Sequence, residues 1–357
     1  MKTLVVENDP FLRLLGVILD PTTPAERVAA FADFFTHDLP DFDGWLNQLR
    51  SRLPHLNPAR VTLVDSSDEL HSALPDADFA VLESLPFAAE ELAAAPKLRA
   101  VQKYGLIARN IDTAACAARN VAVLTLRRRA NIACAEHAMM MMLGLSRQLQ
   151  ITLNRISPES LRAAGFNPRT YDRRHTANSN WARVSGIRLL HGSTLGIVGM
   201  GEIGRELATR AAAFDMHILY HQRTPLPATE AGKYAARHVD LDTLLESSDW
   251  VVICLPGNEN TRHLFDAQRI ARMKPGARLV NISRAEIVER SAVIAALRAG
   301  VLGGFALDPL YEAPGRDDDE LLKFDNALIT PHLAAQPRFN ALDDISDLLT
   351  ALEEKLQ

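Results

Sequence analysis

The stretch that most restricts the fold is STLGIVGMGEIGREL, residues 193–207, where Gly199, Gly201 and Gly204 stand between an apolar run and a helical run. In that context the first glycine permits a tight turn, and the second lets backbone approach a pyrophosphate. The third allows a helix to pack closely on a strand, and the N-terminus of that helix attracts the anion. The spacing therefore predicts a strand–turn–helix unit that binds a dinucleotide.

Short runs rich in Val, Ile and Leu alternate with longer segments of helical period along most of the chain. This alternation is typical of parallel sheets with crossover helices, so the predicted class is α/β. In the first part it predicts strands at 2–6, 61–65, 78–83, 99–103 and 121–125, and helices at about 24–36, 88–95 and 111–119. From Thr194 it predicts six strands, the content of a dinucleotide-binding sheet, at 194–198, 216–220, 249–255, 278–282, 303–307 and 327–330.

Between these two parts lies the longest predicted helix, 131–156, followed by polar, irregular chain over 157–192. The last segment, ALDDISDLLTALEEKLQ, predicts an amphipathic helix that needs a partner surface, because its apolar residues recur at helical spacing. They are Leu342, Ile345, Leu348, Leu349 and Leu352. Residues 7–60 contain no motif that predicts a function.

At 357 residues the chain is long enough for two domains. A net charge of -5 without blocks of like charge predicts no binding to nucleic acid or to a membrane surface.

The three cysteines, Cys116, Cys134 and Cys254, are odd in number and far apart, which indicates reduced thiols in a cytoplasmic protein rather than disulfides or a zinc site. The N-terminal apolar run is too short for a signal peptide. No run reaches the roughly 18 apolar residues of a membrane helix.

The choice of dinucleotide depends on the residues that follow the second strand of such a sheet. An acid there normally binds the ribose hydroxyls of NAD. The segment MHILYHQRTP, 216–225, has His221, Gln222 and Arg223 instead. Without a carboxylate a 2'-phosphate is not repelled, and an arginine can bind it through charge-assisted hydrogen bonds. The segment therefore favours NADP over NAD, with a solvated Arg223 as the alternative interpretation.

Several segments then carry a resemblance to one family. VVICLPGNENTRHLF, ARLVNISRAEIVE, GGFALDPLYEAP and ALITPHLAAQ, together with KLRAVQKYGLIARNID and CAEHAMMMMLGLSR, resemble the D-isomer-specific 2-hydroxyacid dehydrogenases in order and nearly in spacing, over about 60–340. The resemblance implies two Rossmann-like or flavodoxin-like domains: a split substrate domain, 1–152 plus 334–357, and an NAD(P)-binding domain, 153–333. It implies an active site in the interdomain cleft. It also implies a homodimer, with Met139–Met142 in core or dimer packing.

The reaction implied by this resemblance is hydride transfer between nicotinamide and a small 2-keto or D-2-hydroxy acid. Arg284 matches the arginine that orients the substrate carboxylate and polarises the keto oxygen, and His332 matches the histidine that gives or takes the proton. Leu106 and Ile107, with Arg284, match substrate-binding positions, and no metal ligand is implied. The implied cofactor contacts are Gly199, Gly201, Glu202, Ile203, Gly204, His221, Gln222, Arg223, Leu255, Pro256, Thr261, Ile282 and Asp308. Asp308 is either a neighbour of the nicotinamide or a turn residue that ends a strand.

One departure concerns the glutamate that pairs with the histidine in this family. It lies directly before a proline, where this chain has Ala313, and Glu312 stands one position earlier. In an extended segment such an offset turns a side chain to the opposite face. If Glu312 reaches His332, the ordinary dehydrogenase reaction is expected. If it does not, the pKa of His332 falls relative to a paired histidine, or the chain resembles formate dehydrogenases, which transfer hydride without a proton relay.

The substrate loop also departs from the family pattern. Ile107 replaces a glycine two positions after Gly105, which narrows the expected pocket, and Ala285 replaces the glycine after Arg284. Arg109 stands where an acid is common, as either an extra positive charge near an anionic substrate or a solvated side chain. These departures leave a second alternative open, a cofactor-binding regulator or scaffold of the same fold with weak or no catalysis.

Overall fold

The computed structural model describes residues 1–357, which form two compact units, 1–131 with 335–357 and 132–334. The first unit is built on a five-stranded parallel sheet in the order β2-β1-β3-β4-β5, the flavodoxin-like doubly wound order. Its strands are β1 (Lys2–Glu7), β2 (Ala59–Val64), β3 (Phe79–Leu82), β4 (Ala100–Lys103) and β5 (Ala122–Leu124). Each lies within one or two residues of its predicted position.

The first unit contains three helices that the sequence did not predict. Every residue of the first of them is buried, so it has no polar face to reveal a helical period. The helices are α1 (Leu14–Leu19), α2 (Ala25–Phe35), α3 (Phe42–Ser51), α4 (Ser67–Ala73), α5 (Ala89–Ala94) and α6 (Thr113–Ala118). Those missed are α1, α3 and α4, and two of them lie in the segment 7–60.

The second unit contains a seven-stranded parallel sheet in the order β12-β11-β10-β9-β6-β7-β8. This is the Rossmann order with one added strand, and the direction of strand succession reverses at β6. The strands are β6 (Thr194–Val198), β7 (His217–His221), β8 (Ala236–His238), β9 (Trp250–Ile253), β10 (Arg278–Asn281), β11 (Gly304–Leu307) and β12 (Ala327–Ile329). Only the three-residue edge strand β8 was not predicted.

The helices of the second unit begin with the long one predicted from the sequence, which ends earlier than expected because Gln148 adopts a left-handed φ of 54°. They are α7 (Arg129–Arg147), α8 (Leu149–Thr152), α9 (Pro158–Ala163), α10 (Glu202–Ala212), α11 (Ala228–Gly232), α12 (Leu241–Ser247), α13 (Ala267–Arg272) and α14 (Arg290–Arg298). Short 3₁₀ helices lie at Leu74–Asp76, Ala285–Ile287 and Glu320–Lys323. None of the helices combines the length and the apolar character of a membrane span.

Helix α7 accounts for the difference between the expected boundary after residue 152 and the compact unit that begins at residue 132. Its residues Ala135, Ala138, Met141 and Met142 are fully buried in one cluster with the side chains of β6, β7 and β9. The helix therefore belongs by packing to the second core. Of the four consecutive methionines, only Met140 is exposed, at 42%.

The last helix, α15 (Phe339–Glu354), packs in the core of the first unit. Its five residues of helical apolar spacing are at most 1% exposed. Glu353, 3% exposed, accepts hydrogen bonds from the backbone N–H of Leu56 at 2.9 Å and from Nδ1 of His55 at 2.6 Å. Asp344 accepts from Nη1 of Arg129 at 3.0 Å. The helix thus anchors the end of the segment 7–60 as well as the residue with which α7 begins.

Candidate active site

The candidate site lies along the edge of the second sheet where its seven parallel strands end. Because all strands run the same way, their carboxyl ends meet at this edge, where open α/β sheets bind ligands. The strand order therefore sets the spatial order of residues that are scattered along the sequence. From β12 through β7 they are His332, Asp308, Arg284, Leu255 with Pro256, the three glycines, and His221 with Gln222 and Arg223.

The glycine loop between β6 and α10 has the geometry that its sequence predicts. Gly199 has φ of 103°, and a Cβ there would lie 2.6 Å from the carbonyl oxygen of Cys254. A Cβ on Gly204 would lie 2.2 Å from the carbonyl oxygen of Gly199, whereas one on Gly201 would meet nothing within 4 Å. Glu202 and Ile203 form the first turn of α10. The open space at Gly201, directly before a helix N-terminus, fits a pyrophosphate.

Two histidines, His221 and His238, are the last residues of β7 and β8. The carbonyl oxygen of His221 accepts from the N–H of Gly199 at 2.9 Å, and its Nδ1 lies 3.0 Å from the carbonyl oxygen of Val239. Nε2 of His238, on β8, lies 3.1 Å from the carbonyl oxygen of Gln222. Carbonyl oxygens only accept, so both of these ring nitrogens carry protons. The two rings stack with centroids 6.1 Å apart. His238 is a candidate site residue that has no signal in the sequence, because the three-residue strand β8 is too short to be predicted.

The loop after β9 is organised by Thr261, whose hydroxyl donates to the carbonyl oxygen of Pro256 at 2.9 Å and accepts from the N–H of Asn258 at 2.9 Å. Gly257 in this loop was not singled out from the sequence. A Cβ at that position would lie 2.5 Å from Cγ of Arg284. Gly257 therefore leaves the room through which the stem of Arg284 passes.

Arg284 follows β10 on a backbone held from both sides. The side-chain amide of Asn281 donates to the carbonyl oxygen of Arg284 at 2.7 Å and accepts from the N–H of Ser283 at 3.0 Å. The Ser283 hydroxyl donates to the carbonyl oxygen of Ile253, at the end of β9, at 2.8 Å. Ile282, 7% exposed, anchors the segment in the core. The guanidinium is exposed and uses Nη1 to donate to the carbonyl oxygen of Ser283, which leaves most of its donors for an anion.

Asp308, after β11, is fully buried, and its carboxylate holds the loop that follows β12. Oδ1 accepts from the Thr330 hydroxyl at 2.6 Å and from the N–H of Leu333 at 2.7 Å, and Oδ2 accepts from the N–H of Ala334 at 2.9 Å. Burial raises the pKa of Asp308, but hydrogen bonds from His137, Thr330 and the two N–H groups outweigh it and lower that pKa to about 2. The carboxylate therefore stays ionised.

His332 lies inside this loop, and its backbone is as firmly held as that of Arg284. Its N–H donates to the carbonyl oxygens of Asp308 at 2.9 Å and Thr330 at 3.0 Å. Its φ is 59°, a left-handed conformation that few residues other than glycine adopt. The imidazole is exposed. The loop thus presents the ring outward from a fixed backbone.

A residue that sequence reasoning missed, His137 of α7, joins the same network. Its Nε2 lies 3.0 Å from the Thr330 hydroxyl and 3.3 Å from Oδ1 of Asp308, and the side chain is only 12% exposed. The segment CAEHAMMMMLGLSR, 134–147, resembles the family and predicts core or dimer packing for Met139–Met142, but it assigns no role to His137.

The structure does not bring Glu312 to His332. Both side chains are exposed, and they form no ion pair with each other. The charge of Glu312 acts instead on Arg316, whose pKa is raised first by its hydrogen bond to Asp318 and then by Glu312. Ala313, at the position that the family pattern gives to glutamate, is also exposed. Within the second unit His332 therefore has no carboxylate partner.

The predicted substrate residues Leu106 and Ile107 lie in the first unit, in the loop after β4. The carbonyl oxygen of Gly105 accepts from the N–H of Leu126 at 2.8 Å, which fixes the start of that loop. Leu106 is 49% exposed, and Arg109 is also exposed. Their part in binding substrate stays a prediction.

Comparison with known proteins identifies the family. Residues 163–334 match the family described as D-isomer specific 2-hydroxyacid dehydrogenase, NAD binding domain. The chain is 32% identical over 347 residues to a glyoxylate/hydroxypyruvate reductase B from Shigella boydii serotype 4, covering 96% of both chains. It is 32% identical over 324 residues to the protein of the same name from Citrobacter koseri, covering 86% of this chain and 89% of that one. This chain belongs to the D-isomer-specific 2-hydroxyacid dehydrogenase family.

The fold agrees with solved structures of such dehydrogenases. A glyoxylate reductase from Paecilomyes thermophila superposes with a TM-score of 0.56 at 23% identity, covering 100% of this chain and 95% of that one. As a member of the D-2-hydroxyacid dehydrogenase family, the chain is an oxidoreductase that transfers hydride between a nicotinamide cofactor and a 2-keto or 2-hydroxy acid. The non-catalytic regulator and the formate-dehydrogenase-like reaction are not favoured by these relatives.

Proposed function

We propose that this dehydrogenase is an NADP(H)-preferring reductase of small 2-keto acids, with Arg284 as the substrate-binding arginine and His332 as the proton donor. The observation that carries the proposal is the placement of both side chains, exposed on fixed backbones, at the ends of β10 and β12 of one parallel sheet. The relatives named glyoxylate/hydroxypyruvate reductase B support the choice of small 2-keto acids.

Arg284 has two tasks in this proposal. Its planar fork of donors suits a carboxylate, which it binds through two parallel hydrogen bonds. A remaining donor stabilises the keto oxygen as negative charge develops there. Because Asn281, Ser283 and Gly257 fix the backbone and clear the path of the stem, little reorganisation is needed when substrate binds.

His332 completes the reduction. When bound, the reduced nicotinamide supplies the hydride that forms the new C–H bond. The electron pair of the carbonyl π bond moves to the oxygen, which takes a proton from the imidazolium of His332, so the product is the 2-hydroxy acid and neutral histidine. Because no carboxylate of the second unit pairs with this ring, His332 acts without a glutamate partner on its own unit.

The preference for NADP(H) rests on the residues after β7 and β8. His221, Gln222 and Arg223 offer no carboxylate to a ribose hydroxyl, and Arg223 is exposed. The stacked rings of His221 and His238 add two imidazoles, each with one nitrogen already committed to a backbone carbonyl. A 2'-phosphate carries nearly two negative charges, which the guanidinium of Arg223 attracts and an acidic position repels.

The activity is tested by mixing the protein with NADPH or NADH and each of glyoxylate, hydroxypyruvate, pyruvate and a bulky keto acid. We expect turnover of at least one small acid, faster with NADPH than with NADH. His332→Gln should lower kcat by at least about 100-fold, because general acid catalysis contributes typically 10²–10⁴-fold. A protein that binds NADPH but turns over none of the acids, or a fully active His332→Gln variant, would refute the proposal.

We also propose a homodimer formed through the outer face of α7. Met140, Leu149 and Phe214 are 42%, 43% and 39% exposed, and with Met139 and Leu143 they line a groove of about 440 Å³. Contiguous exposed apolar surface of this kind marks protein–protein contacts. A second copy of the chain is the occupant that the family resemblance implies.

A cytoplasmic location is proposed from the cysteines. Cys116 and Cys254 form no disulfide, and burial raises the pKa of both thiols. Buried reduced thiols of this kind suit a reducing compartment. Fractionation of the source cell is expected to place the protein with cytoplasmic markers, and recovery among exported proteins would contradict this.

A further inference from the structure

We infer that His137, on α7, is a positioning residue for His332, which it reaches through the Thr330 hydroxyl and the Asp308 carboxylate. The inference rests on the proposed role of His332 as proton donor. His137 lies on α7, whereas the two loops that it would hold follow β11 and β12.

The direction of each hydrogen bond follows from the protons available. The Thr330 hydroxyl has one proton, which it gives to Oδ1 of Asp308 at 2.6 Å, because an ionised carboxylate can only accept. Towards His137 the same hydroxyl must therefore accept. Nε2 of His137 carries the proton and donates to Thr330 at 3.0 Å, with Oδ1 of Asp308 at 3.3 Å as a second acceptor.

These bonds end on both sides of His332. Asp308 receives Thr330, two residues before the histidine, and the N–H groups of Leu333 and Ala334, the next two residues after it. The His332 N–H itself donates to the backbone of Asp308. A left-handed φ in a non-glycine residue persists only where neighbouring contacts over-determine it. The Asp308 network supplies those contacts, and among the donors to the Asp308 carboxylate His137 is the one that lies outside the loop after β12.

If His137 only filled space, another side chain of the same volume could replace it, because its side chain is only 12% exposed. The proposed role needs its N–H as well. His137→Met keeps the volume and removes the donor, whereas His137→Gln places an amide N–H near the position of Nε2. Met141→Leu alters a fully buried neighbour on the same helix without touching the network, and is the matched control.

The test is steady-state reduction of the best 2-keto acid with NADPH by these three variants. We expect His137→Met to lower kcat about 10- to 100-fold, the range for a slightly misplaced catalytic group. The KM of the keto acid and the Kd of NADPH, measured by fluorescence titration, should change by less than about threefold, because neither arginine nor cofactor loop is touched. His137→Gln should recover most of the loss, and Met141→Leu should show none.

A second measurement separates positioning from general destabilisation. If His137 acts through His332, its substitution should have little further effect on kcat when His332→Gln is already present, because interacting residues are not additive. Equal losses from His137→Met in both backgrounds, an unchanged kcat, or an equal loss in Met141→Leu would overturn the inference. Should His137→Met fail to fold, Thr330→Val against Thr330→Ser tests the same link, with the loss expected only for valine.

The two proposals fail differently. An active His332→Gln enzyme would refute the proton-donor role of His332 and this inference with it. An inactive His332→Gln enzyme beside a fully active His137→Met enzyme would leave the proposed function standing and refute only the role of His137.

Discussion

At the scale of single residues, the candidate site depends on side chains whose backbones are fixed before any ligand arrives. Arg284 is held by Asn281 and Ser283, and His332 by Asp308 and Thr330. The side chains themselves stay exposed. A fixed backbone reduces the reorganisation needed when substrate binds, as preorganised electrostatic catalysis requires.

Arg284→Lys tests the need for a fork of donors. Lysine keeps the charge but presents a single ammonium, so it cannot bind a carboxylate in bidentate fashion while also reaching the keto oxygen. We expect kcat/KM to fall by about 10²- to 10³-fold, as when a single oxyanion donor is removed. Arg290→Lys, on α14 and paired with Asp319, is the control and should retain activity. Equal activity of Arg284→Lys and the native enzyme would contradict the assigned role.

Asp308→Asn should make stability depend differently on pH. The pKa of Asp308 is lowered to about 2 from 3.8, so its ionised form stabilises the folded state above pH 4, and this contribution is lost as pH falls towards 2. The shift corresponds to about 2 kcal/mol at pH 7 and about half of that at pH 3.

Urea unfolding of the native protein and of Asp308→Asn, followed by a probe in the second unit, measures this difference. We expect the variant to be less stable than the native protein at pH 7. The difference between their free energies of unfolding should be smaller at pH 3. A gap that widens on acidification would show that the carboxylate is not the stabilising form.

At the scale of elements, interior strands such as β3, β9, β10 and β11 could be predicted because each is a short, largely apolar run whose residues are all buried. The missed elements lacked such a signal. Helix α1 is buried on every side and has no capping side chain, and β8 is a three-residue edge strand of alternating exposure. Local pattern does not report such elements, because their conformation is set by tertiary packing.

Prediction of the candidate site from the sequence is limited in the same way. Gly199, Gly204, Arg284 and His332 carry motifs at recognisable spacing, and the strand order gathers them at one edge. His137 and Gly257 lie in segments that resemble the family, and His238 lies in none, but no pattern assigns these three residues a role. Each matters through a contact with a residue far away in sequence. The position of Glu312 was likewise open, because a turn can absorb or preserve a one-residue offset.

The ends of β7 and β8 yield a prediction on cofactor choice. Arg223→Ala should weaken NADPH binding about tenfold, equivalent to about 1.4 kcal/mol, because it removes a charge-assisted contact to the 2'-phosphate. Its Kd for NADH should stay unchanged. Arg237→Ala, an exposed arginine on β8, is the control. Titration of both cofactors measures the effect, and equal weakening for NADH and NADPH would remove the argument.

The docking of α15 gives a prediction on stability. Leu349 is fully buried among the side chains of the first unit, so Leu349→Ala should destabilise that unit by about 2–5 kcal/mol. Glu354→Ala, five residues later and exposed, should change stability by less than about 0.5 kcal/mol. Thermal unfolding with a probe in the first unit measures both, and similar values for the two variants would contradict the packing.

At the scale of the whole molecule, the proposed homodimer predicts that association depends on the apolar groove of α7. Met140→Asp places a charge among exposed apolar side chains and should convert dimers to monomers, because an unpaired charge is costly to bury. Light scattering coupled to size-exclusion chromatography measures the mass, near 39.3 kDa for a single chain. A Thr209→Asp variant, exposed on α10, is the control. A native protein that is monomeric at micromolar concentration would refute the dimer.

The strand order of the second sheet has a consequence for engineering. The proposed proton donor, His332, follows β12, and the residues proposed to bind the 2'-phosphate follow β7. They lie five strand spacings apart along the sheet, or about 24 Å at 4.8 Å per strand. Sites separated by more than about 10 Å without shared partners usually respond independently to substitution. We therefore expect substitutions that change the cofactor preference to leave the acid–base chemistry unchanged. A variant selected to prefer NADH should therefore keep that preference when the residues around His332 are later redesigned.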